Sequence, residues 1–447
     1  MALTGIQIFK LLPKTNCGEC GSPTCLAFAM ALAAGKVELE KCPTISDEAR
    51  QQLSEASAPP IRQFVVGAGD YGVKVGGETV MFRHEKTFFN KPGMAVLITD
   101  RMADNEVERR LSSVAELQYE RVGLTLRAEL VAIKEEGNRD RFLEIVKKAA
   151  STPYGLILMS HDPSVMKEAL QLVKEKKPVI YAATDDNVDA FGTLAREYGC
   201  PVAVRGRGLE ETTSLSEKLI AMGVKDIVID PGSRSVKEAF TDQIIIRRAA
   251  LQGRNKALGF PTIAFPCEMA DDPAKETLIA SLFIAKYAGL IVLSDFQGDS
   301  LFPLLLQRLN IYTDPQRPMT TQQGIYPINN PDADSPVMVT CNFSLTYFIV
   351  SGEIESSRVP TWLCVMDTEG LSVMTAWAAG KFVGDTIGPF INKSGIGEKV
   401  NHKKLIIPGY AAAILGDLEE ELPGWEITVG PREAAHIPAF LKAGRNG

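Results

Sequence analysis

The sequence predicts an α/β protein in three parts. A small cysteine-bearing domain leads, a central TIM-like (β/α)8 barrel follows, and an open α/β domain with a Rossmann-like sheet closes the chain. Three observations carry this prediction. Four cysteines crowd into the first 42 residues. Short apolar runs then alternate with helical stretches eight times between residues 61 and 322. After a polar, proline-rich stretch (Asp314 through Pro336), the chain repeats strand, small-residue loop and helix. The boundaries drawn are 1–57, 61–322 and 323–447.

Composition narrows the function classes. A chain of 447 residues, 45% hydrophobic and 23% charged, has the make-up of a globular protein with a core in each domain. Its 48 basic and 55 acidic residues give a net charge of −7 without a basic run, which argues against nucleic acid as a partner. No apolar stretch approaches a membrane span, and Met1-Ala2-Leu3-Thr4 begins no signal peptide, so a cytoplasmic protein without a membrane partner is expected. Cys200, Cys267, Cys341 and Cys364 lie among apolar neighbours and read as reduced core thiols. The 4 histidines are scattered, so a histidine-rich metal site is not expected.

The first domain is the most constrained chemically. Its cysteines run Cys17-x2-Cys20-x4-Cys25-x16-Cys42, with Pro43 directly after the last. A compact set of four thiolates suits tetrahedral zinc or an iron–sulfur cluster. Only one Cys-x2-Cys pair occurs, and the uneven spacing with its closing Cys-Pro favours a [4Fe-4S] cluster. Gly18, Gly21, Ser22 and Pro23 make the segment a loop rather than core. Helices are predicted over Thr4–Leu12 and from Cys25 to near Gly35, and Ser54–Pro60 reads as a linker. A segment this small has little core of its own, so the cluster is expected to hold it folded.

In the middle part the predicted strands are Met94–Thr99, Arg121–Leu126, Gly155–Met159, Pro178–Tyr181, Pro201–Val204, Asp226–Ile229, Pro261–Phe265 and Gly289–Leu293. An open doubly wound sheet is the alternative to a closed barrel. Asp100, Asp185, Asp186, Asp230, Ser294 and Asp295 fall at strand ends, where they either line a functional rim or cap the next helix.

The last part offers strands at Val337–Thr340, Thr361–Met366, Lys404–Ile407 and Trp425–Val429. Their following loops are Cys341–Thr346, Asp367–Thr375, Pro408–Ala411 and Gly430–Glu433, all at the carboxyl edge of a parallel sheet. Within this last part no Gly-x-Gly-x-x-Gly follows a strand, and no P-loop is present. The Gly370–Thr375 loop is rich in hydroxyls and small groups, suited to hydrogen bonding the amide side chains of a neutral macrocycle; helix capping by Ser372 or Thr375 is the simpler reading.

The cysteine loop, the barrel-like middle and the Gly370-Leu371-Ser372-Val373-Met374-Thr375 loop together resemble the large (gamma) subunit of the corrinoid iron–sulfur protein. That family carries methyl groups in the reductive acetyl-CoA pathway, and the resemblance spans essentially the whole chain. It implies that Cys17, Cys20, Cys25 and Cys42 ligate a [4Fe-4S] cluster. It places Thr340, Thr346, Gly370, Leu371, Ser372, Val373, Met374 and Glu433 around a base-off cobamide, and Thr375 nearest the vacant lower face of cobalt. One absence agrees: Asp-x-His-x-x-Gly, which supplies a histidine to cobalt in other proteins, occurs nowhere, and His402 and His436 lack its partners. Without that donor the lower oxidation state is easier to reach.

The implied function is a methyl carrier rather than a stand-alone enzyme. Cob(I)amide accepts a methyl group from methyltetrahydrofolate, presented by a separate methyltransferase, and passes it to acetyl-CoA synthase/CO dehydrogenase. The cluster reactivates cob(II)amide by reduction. The barrel docks a smaller corrinoid protein subunit, and linkers such as Gln316–Pro336 let the cobamide domain move. Two alternatives compete: a pterin-binding methyltransferase barrel using rim carboxylates such as Asp230, and a ferredoxin-like electron-transfer subunit.

Overall fold

The structure, a computed structural model, describes residues 4–33, 37, 39–46, 48–50, 53, 59–121, 123–314 and 318–444. It packs as two units. The first holds the chain up to Met81 together with Phe88–Leu117 and Arg127–Arg308, and the second holds Phe82–Thr87, Gln118–Leu126 and everything from Leu309 onward.

In the first unit, α1 (Gly5–Leu11) begins with a capping box. The Thr4 hydroxyl accepts the Gln7 N–H at 3.3 Å and the Gln7 side chain accepts the Thr4 N–H at 2.9 Å. α2 (Cys25–Ala33) begins with Thr24, whose hydroxyl accepts the Ala27 N–H at 3.0 Å. The two helices bury Ile8, Leu12, Phe28 and Ala29 with Leu39, Ile45, Leu53 and two of the cysteines. The expected helix end near Gly35 and the Ser54–Ala58 part of the linker lie outside the described residues.

The barrel strands are β1 (Gly93–Thr99), β2 (Leu130–Lys134), β3 (Gly155–Met159), β4 (Val179–Ala183), β5 (Val202–Arg205), β6 (Ile227–Asp230), β7 (Thr262–Ala264) and β8 (Ala288–Leu293). Each pairs in parallel with the next, and β8 closes on β1 by aligning Leu290–Leu293 with Gly93–Val96. The closed barrel is therefore formed and the open-sheet alternative is excluded. Seven of the predicted strands coincide with barrel strands. The exception is Arg121–Leu126: the described part of that stretch forms an exposed antiparallel hairpin, Tyr119–Arg121 with Leu124–Leu126, that belongs to the second unit. The true second strand begins at Leu130. Its first four residues are fully buried, as a parallel strand covered on both faces requires, whereas Leu124 and Thr125 face solvent.

A hairpin of Phe64–Val66 and Val73–Val75 plugs the amino-terminal mouth. Phe64, Val66, Val73 and Val75 share one core with Ala95, Leu130, Ile157 and Leu290 of the barrel interior. The plug needs Gly155, where a Cβ would stand 2.5 Å from Leu130 Cδ2 and 3.3 Å from Gly67 Cα. At the same end Arg308 reaches Glu129 with two 2.8 Å bonds and also donates to the Pro92 carbonyl at 2.8 Å. Both side chains are almost wholly buried.

In the second unit, β9 (Gly324–Ile328), β10 (Val337–Cys341), β11 (Thr361–Met366), β12 (Lys404–Ile407) and β13 (Glu426–Val429) form one sheet in the order β9-β11-β10-β12-β13. Only β9 runs antiparallel. Side chains alternate between two cores. Val337 and Val339 face Phe382, Ile387, Ile391 and Leu418, while Met338 faces Ile354, Ile437 and Leu441. The helices covering these faces are α3 (Ser344–Ser357), α4 (Val373–Ala378), α5 (Gly384–Ser394), α6 (Leu415–Glu421) and α7 (Ile437–Gly444). The stretch read as a mobile linker is corrected here. Residues 315–317 lie outside the description, but Gly324–Ile328 is hydrogen-bonded to β11 as an edge strand. Pro327 is tolerated because one side of an edge strand needs no ladder donor. Among the described residues no helix is long and apolar enough to cross a membrane.

The buried Glu129–Arg308 pair generates a prediction. Burial raises the Glu129 carboxyl, yet Arg308 and then Lys91 outweigh it and hold it below its ordinary value. Its stabilisation is therefore present above the ordinary carboxylate range and is lost as pH falls through the lowered value. Glu129→Gln leaves Arg308 buried without its anion and should cost about 3–5 kcal/mol in a denaturant titration at neutral pH. The gap between parent and variant should narrow toward acid.

Candidate functional site

Two places gather the residues marked by the sequence, one in each unit. The first is the cysteine loop. Cys17 is exposed, Cys20 half-buried, Cys25 and Cys42 buried, and all four are free thiols. The loop is closed by Asn16, whose side-chain carbonyl accepts the Cys25 N–H at 2.8 Å while its own N–H donates to Cys25 Sγ at 3.4 Å. Asn16, Gly18 and Gly21 all take positive φ (50°, 77° and 80°), turning successive backbone N–H groups along the loop. Thr44 stands beside the last thiol of the motif. Its hydroxyl lies 3.9 Å from Cys42 Sγ. The Glu19 backbone N–H, followed by the Thr15 hydroxyl, holds the Cys17 thiol below its ordinary value.

The other cysteines behave oppositely. Burial pushes the Cys200 and Cys364 thiols up to about 12, the condition of inert core groups. The four motif thiols form one neighbourhood without closing into a ligand set, since among the described residues no three His, Cys, Asp or Glu side chains stand close enough to hold a metal ion. As donors they fit a thiolate-bound cluster: four free sulfurs on a loop, with N–H and hydroxyl groups aimed at three of them.

The second place is the carboxyl edge of the β10–β13 sheet. Thr340, the penultimate residue of β10, is buried, and its hydroxyl has no hydrogen-bond partner among the described residues. Thr346 is half-buried in the first turn of α3. Gly370 is buried at φ +76°, and a Cβ there would come within 2.8 Å of Thr320 Cγ2. Leu371, Ser372 and Val373 are half-buried, and Met374 and Thr375 are exposed. Ser372 occupies the N-cap position of α4, but its hydroxyl makes no cap bond and instead lies 3.0 Å from the Thr375 hydroxyl. The capping explanation for this pair therefore fails. Glu433, in the loop after β13, accepts the Tyr410 hydroxyl at 2.7 Å from the loop after β12. Leu345, Met374, Trp377 and Tyr410 remain exposed around this edge. A wide apolar rim around small polar groups fits a large, flat, amide-decorated ligand.

Sequence reasoning missed Asn16, Thr44 and Asn342. The first two carry no spacing signal. Asn342 had one, since it directly follows the last residue of β10, Cys341. Its side-chain oxygen accepts N–H groups of Thr368 and Gly370, both at 3.0 Å, and its nitrogen donates to Asp367 at 2.8 Å.

At the barrel's carboxyl rim three of the marked acids are engaged. Asp230 accepts the Tyr181 hydroxyl at 2.6 Å, the Gly232 N–H at 2.8 Å and Arg234 at 2.9 Å. Arg234 also pairs with Glu268 and lies over the Phe265 ring at 4.6 Å. Asp100 accepts N–H groups of Glu136 and Asn138, and Asp295 pairs with Arg109. Asp185 and Asp186 are exposed. These contacts give Asp100, Asp230 and Asp295 structural partners, with Asp100 Oδ1 left buried without one among the described residues, and leave Asp230 without a free carboxylate edge for a pterin ring.

Comparison with known proteins is consistent across the chain. A family described as CO dehydrogenase/acetyl-CoA synthase delta subunit matches residues 63–441, and a family described as an Fe-S cluster matches residues 12–44. The corrinoid/iron-sulfur protein large subunit of Moorella thermoacetica is 44% identical over 445 residues, covering 99% of each chain. The acetyl-CoA decarbonylase/synthase complex subunit gamma of Archaeoglobus fulgidus is 37% identical over 458 residues, covering 98% of this chain and 97% of that one. The corresponding subunit of Methanopyrus kandleri is 36% identical over 454 residues, with the same coverage. The chain belongs to the family formed by corrinoid/iron–sulfur protein large subunits and the gamma subunits of acetyl-CoA decarbonylase/synthase complexes.

Proposed function

We propose that this chain is the large subunit of a cytoplasmic corrinoid iron–sulfur methyl carrier. It takes a methyl group from a methyltetrahydrofolate-dependent methyltransferase and delivers it to acetyl-CoA synthase/CO dehydrogenase, working with a smaller corrinoid protein subunit. The observation that carries this reading is the β10–β13 edge. There the buried Thr340 hydroxyl has no partner among the described residues, the Ser372–Thr375 pair caps no helix, and large apolar side chains stand exposed. A bound cobamide supplies a cobalt nucleophile that takes up and releases methyl groups, and a [4Fe-4S] cluster supplies single low-potential electrons.

The chain's own residues divide that work. Cys17, Cys20, Cys25 and Cys42 hold the cluster in residues 1–57. Thr340, Thr346, Gly370 to Met374 and Glu433 bind the macrocycle's edge in residues 323–447. Thr375, exposed beside Ser372, would be the side chain that faces the bound cobamide, offering a hydroxyl that is a far weaker donor than an imidazole. Residues 61–322 serve as scaffold, because the Tyr181, Asp230, Arg234 and Glu268 groups of the barrel's rim are occupied by one another.

Anaerobic purification followed by metal analysis tests this. About one cobalt and about four irons per chain are expected. Iron without cobalt would sink the carrier and leave the ferredoxin-like reading in its place.

A pair of variants separates the two sites. Cys42→Ala should lower iron while cobalt stays at parental content, and Ser372→Trp should lower cobalt while iron stays. Joint loss of both metals in either variant would contradict two independent sites.

A further inference from the structure

We infer that Asn342 is the positioning residue of the Gly370–Thr375 loop, fixing it in the conformation that receives the corrinoid. The inference rests on the reading that this loop holds the cobamide, and it adds the residue that shapes it. Asn342 is buried to 4% exposure directly after β10, and the loop it holds follows the neighbouring strand β11. Its side-chain oxygen has two lone pairs and meets two backbone donors, Thr368 N–H and Gly370 N–H, each at 3.0 Å. The Thr368 hydroxyl also lies 3.0 Å from that oxygen but 2.8 Å from the Leu371 carbonyl, and its single proton is better placed on the carbonyl.

The other end of the amide settles its orientation. Asn342 Nδ2 donates to Asp367 Oδ1 at 2.8 Å, and that same carboxylate oxygen accepts the Glu369 N–H at 2.9 Å. One amide thus ties Asp367, Thr368 and Gly370 together. The need comes from Glu369, which sits at φ 56°, a costly conformation for a residue with a Cβ unless the surroundings enforce it; Gly370 follows at φ 76°, where glycine is at ease. Its backbone carbonyl contributes as well, accepting the Thr321 N–H at 2.9 Å beside the Thr320 methyl that packs on Gly370. With backbone donors met from below by Asn342, the Ser372 and Thr375 hydroxyls are released from holding the loop and have only each other.

Only an amide satisfies this site, which makes the test sharp. Asn342→Asp keeps an oxygen for the two N–H groups and sets its second oxygen against the Asp367 carboxylate. Two carboxylates at that distance cannot both ionise without repulsion, so one proton is taken up well above the ordinary carboxylate range. When shared at low pH, that proton restores the missing donor; at higher pH the loop opens. The groups facing this pair are the Gln323 amide, which accepts the Asp367 N–H at 3.1 Å, and the exposed Glu369–Lys381 ion pair on the loop's outer side.

The experiment uses the full chain and two readouts: hydrogen exchange at the Thr368 and Gly370 amides, and hydroxocobalamin retained after desalting. Each value is divided by the parent's at the same pH. Asn342→Asp should retain about tenfold less corrinoid at pH 8 than at pH 5 and lose amide protection in parallel. The double variant Asn342→Asp with Asp367→Asn restores a donor opposite the new carboxylate, leaves the exposed Glu369 N–H to solvent, and should recover most of both readouts at pH 8. A pH-independent single variant, or a double variant that recovers neither readout, overturns the inference. Full retention by Ser372→Trp would instead remove the loop from the corrinoid site, while the exchange profile of Asn342→Asp would still report on the clamp.

Discussion

Parallel pairing in β10–β13 is the constraint on which the C-terminal unit depends. Strands that run the same way deliver their carboxyl ends to one edge, so loops separated by up to ninety residues of chain become neighbours there. The same geometry creates a difficulty. Each loop leaves backbone N–H groups near the sheet, and any ligand that lies flat on the edge competes with the side chains that satisfy them. The molecule meets this by putting the satisfying groups underneath. Asn342 serves the loop after β11. The loops after β12 and β13 satisfy one another through Gly409 N–H to the Pro431 carbonyl and Gly430 N–H to the Ile407 carbonyl. Gly409 is required at that crossing, because a Cβ would lie 2.6 Å from the Arg432 nitrogen. The upper surface is thereby left to Ser372, Thr375, Met374, Trp377 and Tyr410.

The two cysteine populations follow the same division between structure and chemistry. Cys200 and Cys364 are held protonated by burial and act as small apolar side chains. Cys17 is exposed and surrounded by donors, which favour the thiolate. A thiolate ligand must be deprotonated, and the donors around Cys17 favour that form. Thr44 stands beside the last thiol of the motif, its hydroxyl 3.9 Å from Cys42 Sγ.

What the sequence disclosed and withheld follows from the range of the interactions. Seven barrel strands were legible because a parallel strand covered on both faces is a continuous apolar run, whatever its partners. The second strand was misplaced because Arg121–Leu126 shows the alternation of a strand as well, and only its surroundings reveal an exposed hairpin. Gly324–Ile328 was taken for a linker because Pro327 and flanking prolines hide a short edge strand whose identity comes from pairing with β11. The Gly370–Thr375 loop was visible by its small residues, yet the residue that shapes it lies twenty-eight positions earlier. Long-range polar contacts leave no local period or spacing, so Asn16 and Thr44 emerged only from the fold, and Asn342, though its place directly after a strand marked it, showed its role only there.

The barrel supplies the strongest argument about where the chemistry resides. The carboxyl rim of a (β/α)8 barrel is where reactions usually take place, and this rim carries Tyr181, Asp230, Arg234, Phe265 and Glu268 in close array. A working rim, however, keeps at least one charge or donor free for substrate. Here burial, and then the Asp230 charge, push the Tyr181 hydroxyl well above its ordinary value, so it stays a neutral donor to that carboxylate. Arg234 spends its guanidinium on Asp230, Glu268 and the Phe265 face. Such a network rigidifies the barrel mouth and presents matched charges to solvent. At the β10–β13 edge the buried Thr340 hydroxyl has no partner among the described residues, and the apolar rim stays exposed. At the barrel rim Asp100 Oδ1 is likewise buried without a partner, its Oδ2 taking both backbone N–H groups, so the two places differ in their surroundings: a paired charge network around the barrel mouth, an apolar rim around small hydroxyls at the sheet edge. Unmet polar groups are costly unless a ligand meets them, and it is the apolar rim that suits the sheet edge to a large flat ligand.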